Sequence, residues 1–329
     1  MSQADTIHVP VPDAVALRPA GKTTWGIVTT IKAPLPAIAR FVAYHLDLGA
    51  AEIHIFLDQP VPEANRFFAS VPQVRITQCD EVYWSHLPEK AKIAHQLRQA
   101  FNATRTYRDS SLQWLAHIDV DEFILTQTPV SDLLATVPAD CAALRLRPAE
   151  LLAQPSPFTG PSTFKLPRAA SDRSKGALAR IYPNFGVFVP DGFLSHSAGK
   201  VMARTGLPDM RLGVHALKYK GKAISNETVA AGAHVGHAHA PTWQVFRDHL
   251  TFRKTKGAYR RKPNESMKLQ DVLDLIEQDE GEDGLRRFYN EMCAATPELL
   301  ASLRAHDMLL TATLDLDDKV ARYFGKGPQ

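Results

Sequence analysis

"WLAHIDVDEFIL", residues 114–125, sets three carboxylates between two apolar pieces. The run "LQWLAHI" reads as a buried strand, and Asp119, Asp121 and Glu122 stand at its carboxyl end. Side chains alternate faces along an extended segment. Asp119 and Asp121 are then expected on one face, with Val120 turned to the core and Glu122 bonded to the surrounding loop. Two carboxylates side by side repel unless a cation relieves them. Hard divalent cations such as Mg²⁺ or Mn²⁺ prefer oxygen ligands, and Mg²⁺ commonly completes its shell with substrate phosphates. The stretch predicts a metal site for a phosphorylated ligand, with Asp119 and Asp121 as metal ligands. A second D-x-D, in "LDLDDKV" at 314–320, follows no strand, so Asp315 and Asp317 read as solvated surface.

The segments around the acidic cluster alternate strand and helix. "TWGIVTTI", "EIHIFL" and "QVRIT" are short β-branched runs. Between them, "PLPAIARFVAYHLDLGA" carries apolar residues at helical spacing up to Gly49, and "VPEANRFFASV" reads as a second helix. "LPEKAKIAHQLRQAFNATRT" predicts one long helix whose Lys90, Lys92 and Arg98 form a mostly solvated face. "VSDLLATV" and "CAALRLR" add a short helix and a fifth strand. Such alternation predicts an α/β fold: a mostly parallel sheet flanked by helices.

The pattern changes after about residue 150. Residues 155–230 are rich in Pro, Gly and basic residues, which suits an irregular cover over a site. "TWQVFRDHLTFRKTKGAYRRK", "LQDVLDLIEQ" and "GLRRFYNEMCAA" read as helices. The expected organisation is an irregular arm at 1–23, a main domain at 24–245 and a helical extension at 246–329. Within the main domain, 24–150 is the nucleotide-binding part and 151–245 the acceptor or cover part.

A net charge of +3 in 329 residues gives no argument for nucleic acid. The three cysteines are scattered, in neither a metal pair nor a disulfide framework, which fits a reducing compartment. With no secretory pattern at the N-terminus and no long apolar run, the expectation is a cytoplasmic protein, compatible with peripheral membrane contact.

Several stretches together resemble GT-A-type glycosyltransferases, in particular family 2-like enzymes of the family 92 kind. "WLAHIDVDEFIL" is similar to their metal-binding motif. "VTTIKAPLPAIARFVAYHLDLGA", with its "YH" and "LG", resembles their first strand and helix, although "KAP" departs from their usual Lys-Asn-Glu. "IHIFLDQP", "AGKVMARTGL" at 199–207 and "HVGHAHAPTWQVF" at 234–246 agree in order and spacing, so the likeness covers about residues 24–260.

The resemblance implies a GT-A-type, Rossmann-like fold and a metal-dependent hexosyl transfer with inversion. The donor is a nucleotide-sugar, with uridine the expected base, and the acceptor a saccharide or lipid-linked molecule. Asp58 and Thr30, at the ends of the second and first strands, would meet the nucleoside, and Asp119 would reach the diphosphate with the metal. Lys200 and Arg204, four apart, share a face if helical and could both contact phosphate. His237, with His239 as alternate, corresponds to the family's late histidine and would complete the metal site. Inversion needs a base on the acceptor hydroxyl, for which Asp191 in "VPDGFLSHS" is the candidate. Two other readings use the same features. A nucleotidyltransferase can place an acidic pair on a similar sheet, but "TTIKAPLP" lacks the Gly-rich basic loop such enzymes usually carry. A catalytically degenerate binding protein would have lost its ligands, whereas both aspartates are present.

Overall fold

A computed structural model describes residues 6–16, 23–85, 87, 89, 94–155, 160–168, 176–257, 259–260, 269–325 and 327–328. The chain divides into two compact units, one of residues 1–147, 199–235 and 315–329, the other of 148–198 and 236–314.

The main elements of the first unit are, in chain order, β1 (Trp25–Ile31), α1 (Leu35–Asp47), β2 (Glu52–Leu57), β3 (Val74–Gln78), α2 (His95–Asp109), β4 (Trp114–His117), β5 (Glu122–Thr126), β6 (Ala143–Leu151), β7 (Lys200–Arg204) and β8 (Glu227–His237), the last residues of β6 and β8 being counted in the second unit. β1 is buried along its whole length, as its unbroken apolar pattern requires for a strand covered on both faces. It pairs in parallel with β2 on one side and β4 on the other, and β2 pairs in parallel with β3. The order β3-β2-β1-β4 is that of a Rossmann-like half, with the strand order reversing beside β1. β7 then runs antiparallel between β4 and β6, and β8 pairs with β5 and β6. α1 packs its Ile38, Phe41 and Val42 with Ile27 and Ile55 on one face. On the other face α2 packs Ala103 and Tyr107 with Val28 and Leu115. The fold is the α/β sheet with flanking helices that the alternation predicts.

Several local expectations are corrected. The long helix begins at His95 rather than near residue 87, and Lys90 and Lys92 lie outside the described residues. The region expected as an irregular cover holds β7, β8 and three short strands at Met210–Leu212, Leu217–Tyr219 and Lys222–Ile224. Turns at Asp209 and Lys220–Gly221, all with positive φ, cut these strands short and hide their periodicity. The arm is partly ordered too: Thr6–Ile7 pairs in parallel with Lys222–Ile224, and Asn226 clamps Val9 by bonds of 3.1 and 2.8 Å to its N–H and C=O.

The C-terminal helix Leu316–Phe324 belongs to the first unit, where Asp317 meets Arg40 at 2.6 Å and Arg322 meets Asp47 at 2.7 Å. Asp315 stands at its N-terminus with φ 46°, so the second D-x-D is a helix entry.

The second unit has its own core, in which Phe246, Leu250, Leu273, Phe288 and Leu303 meet. Its longer helices are Trp243–Thr255, Leu269–Cys293 and Pro297–Ala305. Leu269–Cys293 is two helices broken at Gly281 (φ 59°, ψ −140°), a backbone only glycine takes readily. Lys165 is buried in this unit, its Nζ 3.2 Å from Glu150 and 2.8 Å from the Met292 carbonyl. No helix among the described residues is long and apolar enough to cross a membrane.

Candidate functional site

The carboxyl ends of β1, β2 and β4 are where a sheet of this order leaves a crevice for ligands. α2 lies along them and supplies each with a donor. Arg98 binds Asp58, just beyond β2, through Nη2 at 2.5 Å and Nε at 3.0 and 3.1 Å. Gln99 Nε2 donates to Asp119 Oδ1 at 2.7 Å, and Asn102 Nδ2 to Thr30 Oγ1 at 2.9 Å. Asn102 in turn accepts from the Tyr83 hydroxyl at 2.7 Å. Arg98 is therefore part of a half-buried ion pair, not of a solvated face. Burial alone would raise the pKa of Asp58. Hydrogen bonds and charge from His95, 3.5 Å away, and Arg98 outweigh it and hold the carboxyl below its usual range.

The acidic cluster is a turn, not an extended segment. Glu122 N–H donates to the Asp119 carbonyl at 3.0 Å, while Asp119 N–H donates to Glu122 Oε2 at 2.7 Å. Val120 and Asp121 occupy the two corners. The chain reverses here because β5 leaves the parallel set to pair with β8. Alternation therefore does not decide where Asp119 and Asp121 face, though Glu122 does bond the loop as its position suggests.

Lys200 opens β7 and is buried, 1% exposed. Its Nζ lies 2.7 Å from Asp119 Oδ2 and 3.1 Å from Glu122 Oε2. Burial works to lower its pKa, but the two carboxylates prevail and raise it, so the ammonium is kept. Gly199 before it has φ 66°, and a Cβ there would run into the Leu146 carbonyl. The "GK" pair is explained by this close approach.

Arg204 is at the other end of the same strand, not in a helix. Four residues of strand span roughly 13 Å, too far for both cations to grip one diphosphate. Its Nε and Nη2 donate to the carbonyls of Cys141 at 2.9 Å and Pro138 at 3.1 Å, and the guanidinium stands 4.4 Å over the Trp114 ring.

Two residues that the sequence carries without a stated role prove to support the turn. Tyr44 hydroxyl donates to the Ile124 carbonyl at 2.9 Å, and Ile124 N–H donates to His45 Nε2 at 3.4 Å. The "YH" pair of α1 thus pins β5 directly after Glu122. His117, at the end of β4, is also buried, with Nδ1 2.8 Å from the Gly213 carbonyl. Burial, then the Lys200 charge, lowers its pKa to about 4. Nε2 of this ring is buried with no hydrogen-bond partner among the described residues.

The remaining candidates belong to the second unit. Asp191 sits in a tight turn with φ 57°. His237 ends β8, its ring 5.1 Å from that of His239. His239 is buried, with Nε2 2.8 Å from the Tyr259 hydroxyl and its carbonyl accepting from Arg253. Among the described residues no group of three or more His, Cys, Asp or Glu has the arrangement of a metal site. Asp119 and Asp121, two carboxylates of one turn, are what this turn offers a cation. Such a pair suits a hard cation that takes its other ligands from phosphate and water, rather than a closed structural site.

No protein-family model and no curated protein matches the sequence. Among solved structures the chain is similar in outline to S. aureus TarS 1–349, with 11% identity over 93% of this chain and 92% of that one, TM-score 0.35. A second is glucosyl-3-phosphoglycerate synthase from Mycobacterium tuberculosis in complex with phosphoglyceric acid, 11% identical over 58% and 59%, TM-score 0.29. A third is CMP:2-keto-3-deoxy-manno-octonic acid synthetase complexed with CTP, 16% identical over 39% of this chain and 53% of that one, TM-score 0.26. The chain thus matches about half the length of the third and 59% of the second. Overlap this loose assigns neither family nor residue roles.

Proposed function

We propose that the chain is a metal-dependent glycosyltransferase that moves a sugar from a nucleotide-sugar, a UDP-sugar, to a saccharide or lipid-linked acceptor with inversion. The observation that carries this reading is the placement of Asp119. It stands beyond a parallel strand, in one turn with Asp121, with its oxygens held by Gln99 and Lys200, and Thr30 and Asp58 stand at the ends of the next two parallel strands of the sheet. Crevices of this kind take nucleotides in open α/β sheets.

Asp119 and Asp121 would hold Mn²⁺ or Mg²⁺, with phosphate and water as the remaining ligands. The cation supplies charge stabilisation to a diphosphate leaving group. The chain's own part is to keep the site ordered before the donor arrives. Gln99 and Lys200 fix the Asp119 carboxylate, Glu122 closes the turn, and Asn102 and Arg98 fix Thr30 and Asp58 for contact with the nucleoside. A site already in place loses little free energy to reorganisation when charge develops. Asp191 is the proposed base.

Thermal shift with nucleoside diphosphates and triphosphates, each with and without Mn²⁺, tests the reading. A ligand that binds only the folded chain raises its melting temperature. UDP with Mn²⁺ should stabilise more than either alone. Stabilisation by a triphosphate but no diphosphate would favour nucleotidyl transfer, and none by any nucleotide would refute the reading.

A further inference from the structure

We propose that Lys200 is a built-in counter-cation that makes divalent-cation uptake at Asp119 and Asp121 conditional on a diphosphate. The inference rests on the nucleotide-sugar reading of the site and adds to it an order of binding. Lys200 Nζ occupies Asp119 Oδ2 at 2.7 Å, and Gln99 occupies Oδ1 at 2.7 Å. Both oxygens of this proposed ligand therefore carry a donor already. Glu122 Oε2 is shared by Lys200 and by the Asp119 N–H. The ammonium cannot easily swing aside. Its side chain is 1% exposed, and Gly199 fixes the preceding backbone against the Leu146 carbonyl.

A divalent cation arriving alone must share Asp119 with an ammonium, and that repulsion works against its uptake. A diphosphate reverses the sign: its oxygens attract metal and ammonium together, so each favours the other's presence. Without the lysine, a cation at Asp119 would meet the full charge of that carboxylate and no opposing ammonium. With it, metal and diphosphate bind as a coupled pair, and coupling of this kind is reciprocal.

Titration of Mn²⁺ into the full chain, with free Mn²⁺ followed by electron paramagnetic resonance, tests this with and without UDP. The parent should bind Mn²⁺ weakly alone and at least tenfold more tightly with UDP. Lys200→Met should bind Mn²⁺ alone at least tenfold more tightly than the parent, and UDP should add correspondingly less. This variant leaves Glu122 buried without its ammonium, so Lys200→Met combined with Glu122→Gln is measured beside it. The double variant has the parent's net charge but no ammonium on Asp119, and it too should bind Mn²⁺ alone more tightly. If the double variant, folded by circular dichroism, binds Mn²⁺ alone no better than the parent, the proposal is overturned while the nucleotide-sugar reading stands. A parent that binds neither Mn²⁺ nor UDP overturns both.

Discussion

His45→Gln should flatten the acid sensitivity of the first unit. His45 is fully buried on α1, its Nδ1 2.8 Å from the Phe41 carbonyl. A carbonyl can only accept, so Nδ1 carries the proton and Nε2 presents a lone pair to the Ile124 N–H at 3.4 Å. The neutral ring fits both partners, whereas the charged ring sets two N–H groups against each other. Burial lowers the pKa to about 3, against an ordinary 6.5, with the Phe41 bond opposing weakly. A depressed value means that the stabilisation is complete above 6.5 and is lost as pH falls toward 3, because the unfolded chain takes up the proton first. At pH 5 the loss from this one residue is about 2 kcal/mol, from about 1.4 kcal/mol per unit of pH below 6.5. Glutamine keeps an acceptor for Ile124 but cannot titrate. The variant should be less stable at pH 7.5 by about 2 kcal/mol, through the lost Phe41 bond and ring volume. Between pH 7.5 and 5 it should then lose about 2 kcal/mol less than the parent. Urea unfolding at the two pH values, followed by fluorescence of the buried Trp25 and Trp114, measures the difference. Equal losses in both proteins would refute the assignment of His45 as a neutral clamp.

Asp121→Asn should keep the fold and lower sugar transfer by about a hundred- to a thousandfold, the cost of removing one contact to developing charge; parent-rate turnover would remove Asp121 from the site. Arg204→Lys should cost about 2 kcal/mol, because lysine cannot span both carbonyls or cover Trp114, yet leave UDP affinity unchanged in the folded fraction. A folded Arg204→Lys chain with lost UDP binding would contradict its structural placement. Asp191→Asn should melt with the parent, since asparagine accepts positive φ, while transfer to acceptor falls about a hundredfold and donor hydrolysis persists; unchanged transfer would exclude Asp191 as the base.

Burial patterns make the layered fold legible in the sequence. β1, β2 and β4 are short apolar runs because parallel strands are covered on both faces, and α1 shows helical periodicity because only one face is buried. The acidic pair also shows, since carboxylates that follow such a run stand at a strand's carboxyl end. Nothing local, however, marks 119–122 as a turn, because the reversal depends on β5 pairing with a strand more than 100 residues later. The partners of the site are equally distant. Lys200 and Asp119 are 81 residues apart, Arg98 and Asp58 are 40 apart, and Ile124 and His45 are 79 apart. Charge and residue type mark Lys200 and Arg204 as equivalents four apart, yet β7 carries one to Asp119 and the other to two backbone carbonyls. The amino-acid order alone determined which segments are buried and where the carboxylates cluster. Strand order and register decided which cation meets which carboxylate, because those contacts exist only after segments far apart in the chain have paired.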